Sequence, residues 1–198
     1  MKYIIPRAKS GKEKQMTYAK YIAQYNKAVR NEFYLEAIMI DYAMMEDRLV
    51  AILHYLGVVT RTHEKLGVNK FCRADVRCLL GYKENAAVGI QNISVKIKLL
   101  EKLMHITEEE QSSFISAIIL HIDNCANRSD VLTLCKELAQ WCETRNQYVH
   151  ALLNKNYDSL QNGLMQFATK GYGLARQIDN IVKVVKKNNT IRKKFRIQ

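Results

Sequence analysis

Proline and glycine are scarce in this chain, with one proline and eight glycines in 198 residues. Sandwiches and barrels need many tight turns, which these two residue types usually supply, so their scarcity argues against an all-β fold. Apolar residues make up 48% of the chain, which excludes an intrinsically disordered protein. No alternation of strand and helix patterns and no internal repeat is visible. The sequence therefore predicts an all-α protein, a single up-and-down bundle of five to six helices.

Long hydrophobic runs are also missing. The longest uncharged apolar run, Phe114 to Ile122, is far shorter than the roughly 20 residues of a membrane span. The first residues, MKYIIPRAKSGKEK, hold too short an apolar run for a secretory signal. Five cysteines, an odd number, favour reduced thiols over a disulfide framework. We expect a soluble, cytoplasmic protein without a membrane span.

Spacings typical of metal, phosphate and hydrolase sites are absent from the sequence. Cys72 and Cys78 are six residues apart and Cys135 and Cys142 are seven apart, so neither pair forms a CxxC motif. The chain contains no HExxH, GxxxxGK[ST], GxGxxG or GxSxG motif. We therefore predict no metal and no cofactor, and we interpret all five cysteines as buried free thiols.

Positive charge is concentrated at the two ends of a chain whose net charge is +12. Residues 1–30 hold eight basic residues and one acidic residue, and residues 183–198 hold seven basic residues and no acidic one. Residues 31–182 hold 16 basic and 18 acidic residues. Lysine and arginine displace counterions from a phosphate backbone, so this distribution favours a nucleic-acid partner. The alternative is a pair of solvated tails.

Apolar residues at three- and four-residue steps indicate a long helix from Thr17 to Leu56, with a break near Arg30–Asn31 and an end at Gly57. Residues 58–70 show no period and are interpreted as a loop. Further helices are predicted over Ala74–Leu80, over Asn92–Met104, from Thr107 (with Glu110 in a capping box) to about Asn127, from Asp130 to Leu152, and over Tyr157–Lys187. The domain prediction is one helical domain over residues 1–198, with projecting basic extensions at about 1–16 and 188–198.

The segment from Glu143 to His150, ETRNQYVH, is the candidate site. Asn146 and His150 lie about 40° apart on one helix face, whereas Arg145 lies about 140° from His150. A histidine can move protons near neutral pH, an arginine can hold a phosphate bidentately, and an asparagine can orient either side chain. This set suits phosphodiester cleavage, and the wide angle means that a second subunit most easily completes the site. The alternative is an exposed helix with unrelated polar residues.

Arg145-Asn146-x-x-x-His150 resembles the RNxxxH form of the Arg-x(4–6)-His signature of the HEPN superfamily. The run Tyr42-Ala43-Met44-Met45-Glu46-Asp47-Arg48-Leu49, with Tyr34-Leu35-Glu36 before it, is similar to the early helix of small stand-alone members. The resemblance implies a dimeric helical bundle with one composite site from two signature helices. It also implies a metal-independent endoribonuclease of a toxin–antitoxin, phage-defence or CRISPR-associated system, in which Arg145 and His150 are catalytic and Asn146 is supportive.

One departure from the family concerns the residues after His150. Members paired with a nucleotidyltransferase antitoxin continue the signature as His-x-Tyr, whereas Ala151 and Leu152 follow His150 here. The tyrosine that such a partner modifies is therefore missing. Glu46 and Asp47 either supply an acidic group near the site or form the solvated edge of the long helix.

We therefore expect an RNA-cleaving homodimer in which His150 transfers protons and Arg145 stabilises the phosphate, leaving a 2′,3′-cyclic phosphate. An antitoxin or a CRISPR effector is the further partner that the resemblance implies. Two alternatives stay open: a catalytically inert HEPN-like module that binds nucleic acid or protein, and a helical structural protein in which RNxxxH occurs by chance.

Overall fold

A computed structural model describes residues 11–62, 65–106, 112–151, 154, 157–187, 190–195 and 197. Its helices are α1 (Gly11–Arg30), α2 (Tyr34–Tyr55), α3 (Arg73–Leu80), α4 (Ile93–Met104), α5 (Ser113–Cys125), α6 (Arg128–Ala151), α7 (Tyr157–Lys186) and α8 (Ile191–Lys194). A 3-10 turn (Lys70–Cys72) and two short strands, β1 (Val59–Thr62) and β2 (Lys65–Val68), complete the described elements. Because most described residues are helical, the all-α class is confirmed, although more helices are present than the five or six predicted.

The predicted break in the first long helix is confirmed. Helix α1 ends at Arg30, Glu32 adopts a positive φ of 60°, and α2 begins at Tyr34. The Phe33 amide donates to the Ala28 carbonyl at 2.8 Å, which satisfies one of the last carbonyls of α1. Helix α1 begins at Gly11 and not at Thr17, so part of the predicted basic N-terminal extension is helical.

The interpretation of residues 58–70 as a loop is wrong. Strands β1 and β2 form an antiparallel hairpin in which Val59 lies opposite Val68. Both valines are buried, so the hairpin covers one part of the core. The side-chain amide of Asn69 donates to the Gly57 carbonyl at 2.8 Å and ties the hairpin to the end of α2. Strands of four residues are too short to show a clear alternating pattern in the sequence.

Helix α2 is the centre of the fold. It packs along α7 and also contacts α1, α4 and β1. One side of α2 is fully buried, and its most deeply buried apolar residues are Ala37, Ile38, Met45, Leu49, Ile52 and Leu53. Gly57 has a φ of +76° just after α2, which confirms it as the residue that ends the helix. Gly81, with a φ of +72°, ends α3 in the same way.

The starts of α5 and α6 differ from the prediction. The proposed capping box of Thr107 and Glu110 lies outside the described residues, and Ser112 instead caps α5 by accepting from the Ile115 amide at 3.3 Å. Asp130 is not a cap, because α6 already begins at Arg128. The Asn127 carboxamide oxygen accepts from the Ser129 amide at 2.9 Å and so caps α6.

Helix α7 is continuous despite its three glycines. Gly171 is buried, and a Cβ atom added there would lie 2.8 Å from Cζ2 of Trp141 and 2.7 Å from Oδ2 of Asp41. A Cβ added at Gly163 would also meet the Tyr148 hydroxyl, which is the free end of a side chain. Gly171 lets α6 and α2 approach α7, because a larger residue would overlap Trp141 and Asp41.

The expectation that the basic C-terminal residues project from the bundle is wrong for the described part of that segment. Ile191 in α8 is buried, and a Cβ added to Gly57 would lie 2.8 Å from Cδ1 of Ile197. The Arg192 guanidinium donates to the His54 carbonyl at 3.1 Å. Ile191, Arg192 and Ile197 therefore pack over the end of α2. Within the described ranges, no helix combines the length and the apolar character needed to cross a bilayer.

Candidate functional site

The candidate residues lie in the second half of α6, which is anchored by one aromatic contact. Trp141 stacks on Phe167 of α7, with ring centroids 4.8 Å apart and an interplanar angle of 9°. Its indole N–H also donates to the Phe167 carbonyl at 3.2 Å. Because Trp141 is buried, these contacts fix the rotation of α6 about its axis. The next turn, which begins at Arg145, is therefore held in one orientation.

Arg145 is positioned by two neighbours. Its Nη1 donates to Oδ1 of Asn146 at 2.7 Å, and its Cζ lies 4.1 Å above the centroid of the Tyr42 ring. A guanidinium over an aromatic face is attracted by the negative face of the ring. The Nε atom is buried and has no hydrogen-bond partner in the described residues. The cation is thus held at the junction of α6 and α2.

His150 lies one turn after Asn146, and both side chains are exposed. The His150 main-chain carbonyl accepts from Nδ2 of Asn154 at 3.3 Å, which satisfies one of the terminal carbonyls of α6. The structure places the Arg145 guanidinium against Asn146 and leaves His150 apart from both in its hydrogen bonding. No contact between the Arg145 and His150 side chains occurs in the described part of the chain.

Two further ionisable groups border Arg145, and both stay neutral near pH 7. Burial raises the pKa of the Cys142 thiol to about 11, although the Arg145 charge acts in the opposite direction. Burial and then the Glu46 charge raise the pKa of the Tyr42 phenol. Cys142 is therefore not a thiolate nucleophile, and Tyr42 serves as a ring surface. Tyr42 belongs to the run that resembles the early family helix, but no role for it was predicted from the sequence.

Glu46 and Asp47 are ion-paired and half-buried, so neither forms a solvated edge. The Lys96 ammonium, which is buried, lies 2.7 Å from Oε1 of Glu46. Burial favours the neutral form of Asp47, but hydrogen bonds and charge from Lys14 and Arg48 lower its pKa below the usual range. Glu46 is the acidic group nearer the site, since its charge acts on both Tyr42 and Cys142.

Asp41 is a buried residue of α2, directly before Tyr42, and it was not predicted from the sequence. Its side chain is fully buried, and neither carboxylate oxygen has a hydrogen-bond partner in the described residues. Burial raises its pKa to about 8, so the carboxyl group is protonated at neutral pH. A signal was present, because Asp41 falls three residues after Ile38 and four before Met45, inside the apolar stripe of α2.

The cysteines are only partly as predicted. All five are free thiols, with Cys72, Cys135 and Cys142 buried, Cys125 half-buried and Cys78 exposed. The interpretation of every cysteine as buried is therefore wrong for Cys78 and Cys125, which lie at the surfaces of α3 and α5. Among the residues that the structure describes, no group of three or more His, Cys, Asp and Glu side chains is arranged to hold a metal ion.

Comparison of the chain with protein-family models, with curated protein sequences and with solved structures gave no match.

Proposed function

We propose that this protein is a metal-independent endoribonuclease of HEPN type whose active site forms between the α6 helices of two subunits. The observation that carries the proposal is the position of Arg145. Its guanidinium lies over Tyr42 of α2 and against Asn146 of α6. Helix α6, which carries Arg145, also presents His150 to solvent. A fixed cation for phosphate and an accessible proton-transfer group are the two elements that RNA cleavage requires of a protein.

The chemistry uses a nucleophile that RNA itself supplies. The 2′-oxygen attacks the adjacent phosphorus while its proton passes to His150 of one subunit. The bond from phosphorus to the 5′-oxygen breaks, and that oxygen takes a proton from His150 of the partner subunit. The products are a 2′,3′-cyclic phosphate and a free 5′-hydroxyl, and Arg145 stabilises the additional negative charge of the pentacovalent state. DNA lacks the 2′-hydroxyl and is not cleaved.

Two subunits are needed because one α6 helix turns its two catalytic side chains in different directions. Arg145 faces Tyr42, whereas His150 lies about 140° away around the helix axis. Val149, next to His150, is an apolar side chain that is 42% exposed. The exposure of Val149 supports an interface at this end of α6, since an exposed apolar side chain gains free energy when a partner covers it.

Strand binding is supported by charge. The net charge of +12 comes from the two ends of the chain. The basic residues of these ends that the structure describes lie in α1 and between the end of α7 and the end of α8. Some of these cations have structural partners, such as Lys14 with Asp47 and Lys183 with Asp179. The proposal places the enzyme in the cytoplasm, in a toxin–antitoxin, phage-defence or CRISPR-associated system. RNA affinity is expected to fall steeply with salt, because binding releases counterions.

The test is cleavage of total RNA in EDTA by the wild type and by an Arg145→Ala/His150→Ala variant. We expect the wild type to leave 2′,3′-cyclic phosphate ends and the variant to be slower by about 10³-fold or more, because it lacks both proton transfer and charge stabilisation. Gln147→Ala, an exposed position on the same helix, is the matched control and keeps its activity. Light scattering on all three proteins reports the oligomeric state.

One observation favours a second candidate, a catalytically inert HEPN-like binding module. Within one chain, the described contacts do not bring Arg145 and His150 together. If the wild type is dimeric and binds RNA but cleaves none, the inert module replaces the enzyme. Loss of wild-type cleavage on adding EDTA, or cleavage of DNA, contradicts the mechanism. If the wild type is a monomer and has no affinity for RNA, the RNxxxH pattern is a chance match.

The role of Tyr42 gives a separate prediction. Tyr42→Leu is expected to lower kcat about fivefold with little change in KM, because a cation over a ring contributes on the order of 1 kcal/mol to holding Arg145. Tyr42→Phe retains the ring and therefore the wild-type rate. Equal losses in both variants would show that the phenol hydroxyl, and not the ring, is what matters at this position.

A further inference from the structure

A cleft of about 720 Å³ opens between α2, α4 and α6, beside the candidate site. Its volume lies in the range of small-molecule sites. Tyr42 and Asn146, the two residues that hold Arg145, both line it. We infer that this cleft binds one nucleobase of the RNA strand next to the phosphate held by Arg145. The inference rests on the proposed function and adds a substrate subsite to it.

The polar groups of the cleft suit the edge of a base. Asn92 and Asn146 contribute amides, and Ser94 contributes a hydroxyl. The Asn146 oxygen already accepts from Arg145 at 2.7 Å, so its NH₂ group remains as a donor. Amide side chains pair with base edges through two hydrogen bonds, and RNA-binding proteins read unstacked bases in this way. Asn92, which is exposed, is thus available for such pairing, and Asn146 can add one donated hydrogen bond.

The charges of the cleft favour a neutral ring over a free anion. Two lysines and two glutamates line it, namely Lys98, Lys102, Glu101 and Glu143. Since these charges cancel, the cleft offers a phosphate little net attraction. The apolar contribution comes from Ile93 and Ile97, which are buried, and from Ala139. A flat polar heterocycle matches this mixture, and the adjacent Arg145 supplies the positive charge for its phosphate.

The cleft can be filled without touching the proposed catalytic groups. Ala139 lines the cleft and is exposed, so Ala139→Phe occupies part of its volume. Gln140 is the next residue on α6, is also exposed and does not line the cleft, so Gln140→Phe is the matched control. Both variants place a phenylalanine at an exposed helix position, which costs only a fraction of 1 kcal/mol in helix propensity, on the order of the difference between ordinary residues. Circular dichroism melting curves test whether both fold.

The probes are fluorescein-labelled 2′-O-methyl hexanucleotides of A, C, G and U, in which methylation prevents attack by the 2′-oxygen. Fluorescence anisotropy is expected to show that the wild type prefers one base by about tenfold, the discrimination that one bidentate base contact provides. Ala139→Phe binds that preferred strand about tenfold more weakly and loses the preference. Gln140→Phe behaves as the wild type. The four nucleoside 5′-monophosphates, used as competitors, bind far more weakly than the strands.

Three results would overturn the inference: no base preference in the wild type, equal binding by Ala139→Phe and Gln140→Phe, or a free monophosphate that competes as strongly as a strand. The last result would make the cleft a site for a soluble nucleotide. If the wild type cleaves RNA but shows no base preference in binding, the cleft inference falls and the nuclease proposal stands. If the wild type cleaves no RNA but shows a base preference that Ala139→Phe loses, the cleft inference stands and the nuclease proposal falls.

Discussion

Gly171→Ala is expected to lower the free energy of unfolding by about 3 kcal/mol, because it overpacks the junction of three helices. The added Cβ would lie 2.8 Å from Trp141 and 2.7 Å from Asp41, closer than carbon and oxygen atoms can approach. Trp141 cannot move away easily, since it is stacked on Phe167 and hydrogen-bonded to its carbonyl. Either α7 must shift away from α2 and α6, or the aromatic stack must break.

Gly173→Ala is the matched control, and its expected effect has the opposite sign. Nothing lies within 4 Å of a Cβ added at Gly173, two residues further along the same helix. Alanine there restricts the unfolded chain and favours the helix, which stabilises the protein by about 0.5 to 1 kcal/mol. Urea unfolding followed by circular dichroism measures both variants. Equal and small effects at the two positions would show that α7 does not pack tightly on Trp141.

The second large effect concerns Asp41 and the dependence of stability on pH. Burial raises the pKa of Asp41 to about 8, while the unfolded chain has the ordinary value of about 4. Between these values the folded state holds a proton that the unfolded state has released, so the free energy of unfolding decreases as pH rises. The slope is about 1.4 kcal/mol per pH unit, and the accumulated loss by pH 8 is on the order of 5 kcal/mol.

Asp41→Asn is expected to remove this dependence, because an amide of the same shape has no proton to lose. The wild type and the variant have similar stability near pH 4, and the variant becomes progressively more stable toward pH 8. Tyr25, which stacks on Tyr172 beside this carboxyl, stays neutral over that range, since burial raises the pKa of Tyr25 above its usual value. Glu84→Gln, an exposed surface position, shows no such divergence.

Urea titrations at four pH values provide the measurement. The free energy of unfolding of Asp41→Asn is compared with that of the wild type at each pH. If the difference stays constant with pH, the Asp41 carboxyl is either ionised inside the fold or hydrated on its surface. That outcome contradicts the buried, unpartnered position found for Asp41.

Features set by local chain chemistry were predictable from the sequence. The break after Arg30 and the ends of α2 and α3 at Gly57 and Gly81 depend on neighbouring residues alone. The hairpin of Val59–Val68 was missed because its strands are stabilised by burial against distant helices and not by a local pattern. The packing of Ile191 and Ile197 over Gly57 is also a long-range contact, hidden in a segment whose composition is typical of a solvated tail.

The candidate site was likewise only partly predictable from the sequence. Helical spacing predicted that Asn146 and His150 share one face of α6, and both side chains are exposed. The hydrogen bond from Arg145 to Asn146 was not predicted, because neighbouring residues of a helix point in different directions. The contact between Arg145 and Tyr42 joins two helices that are far apart in the chain, so no spacing rule reveals it. The cleft beside Asn146 likewise needs α4, whose relation to α6 depends on tertiary packing.

Trp141 is an intrinsic fluorescence probe at the junction of α2, α6 and α7, so that no added label is needed there. It is the only tryptophan in the chain, it is buried, and it precedes Arg145 by one helical turn. Its indole emission therefore comes from one known place, stacked against Phe167 and beside Gly171. Intrinsic fluorescence will register a movement of α6 when RNA or a second subunit reaches the helix, and it will stay unchanged when a ligand binds only to distant basic surfaces.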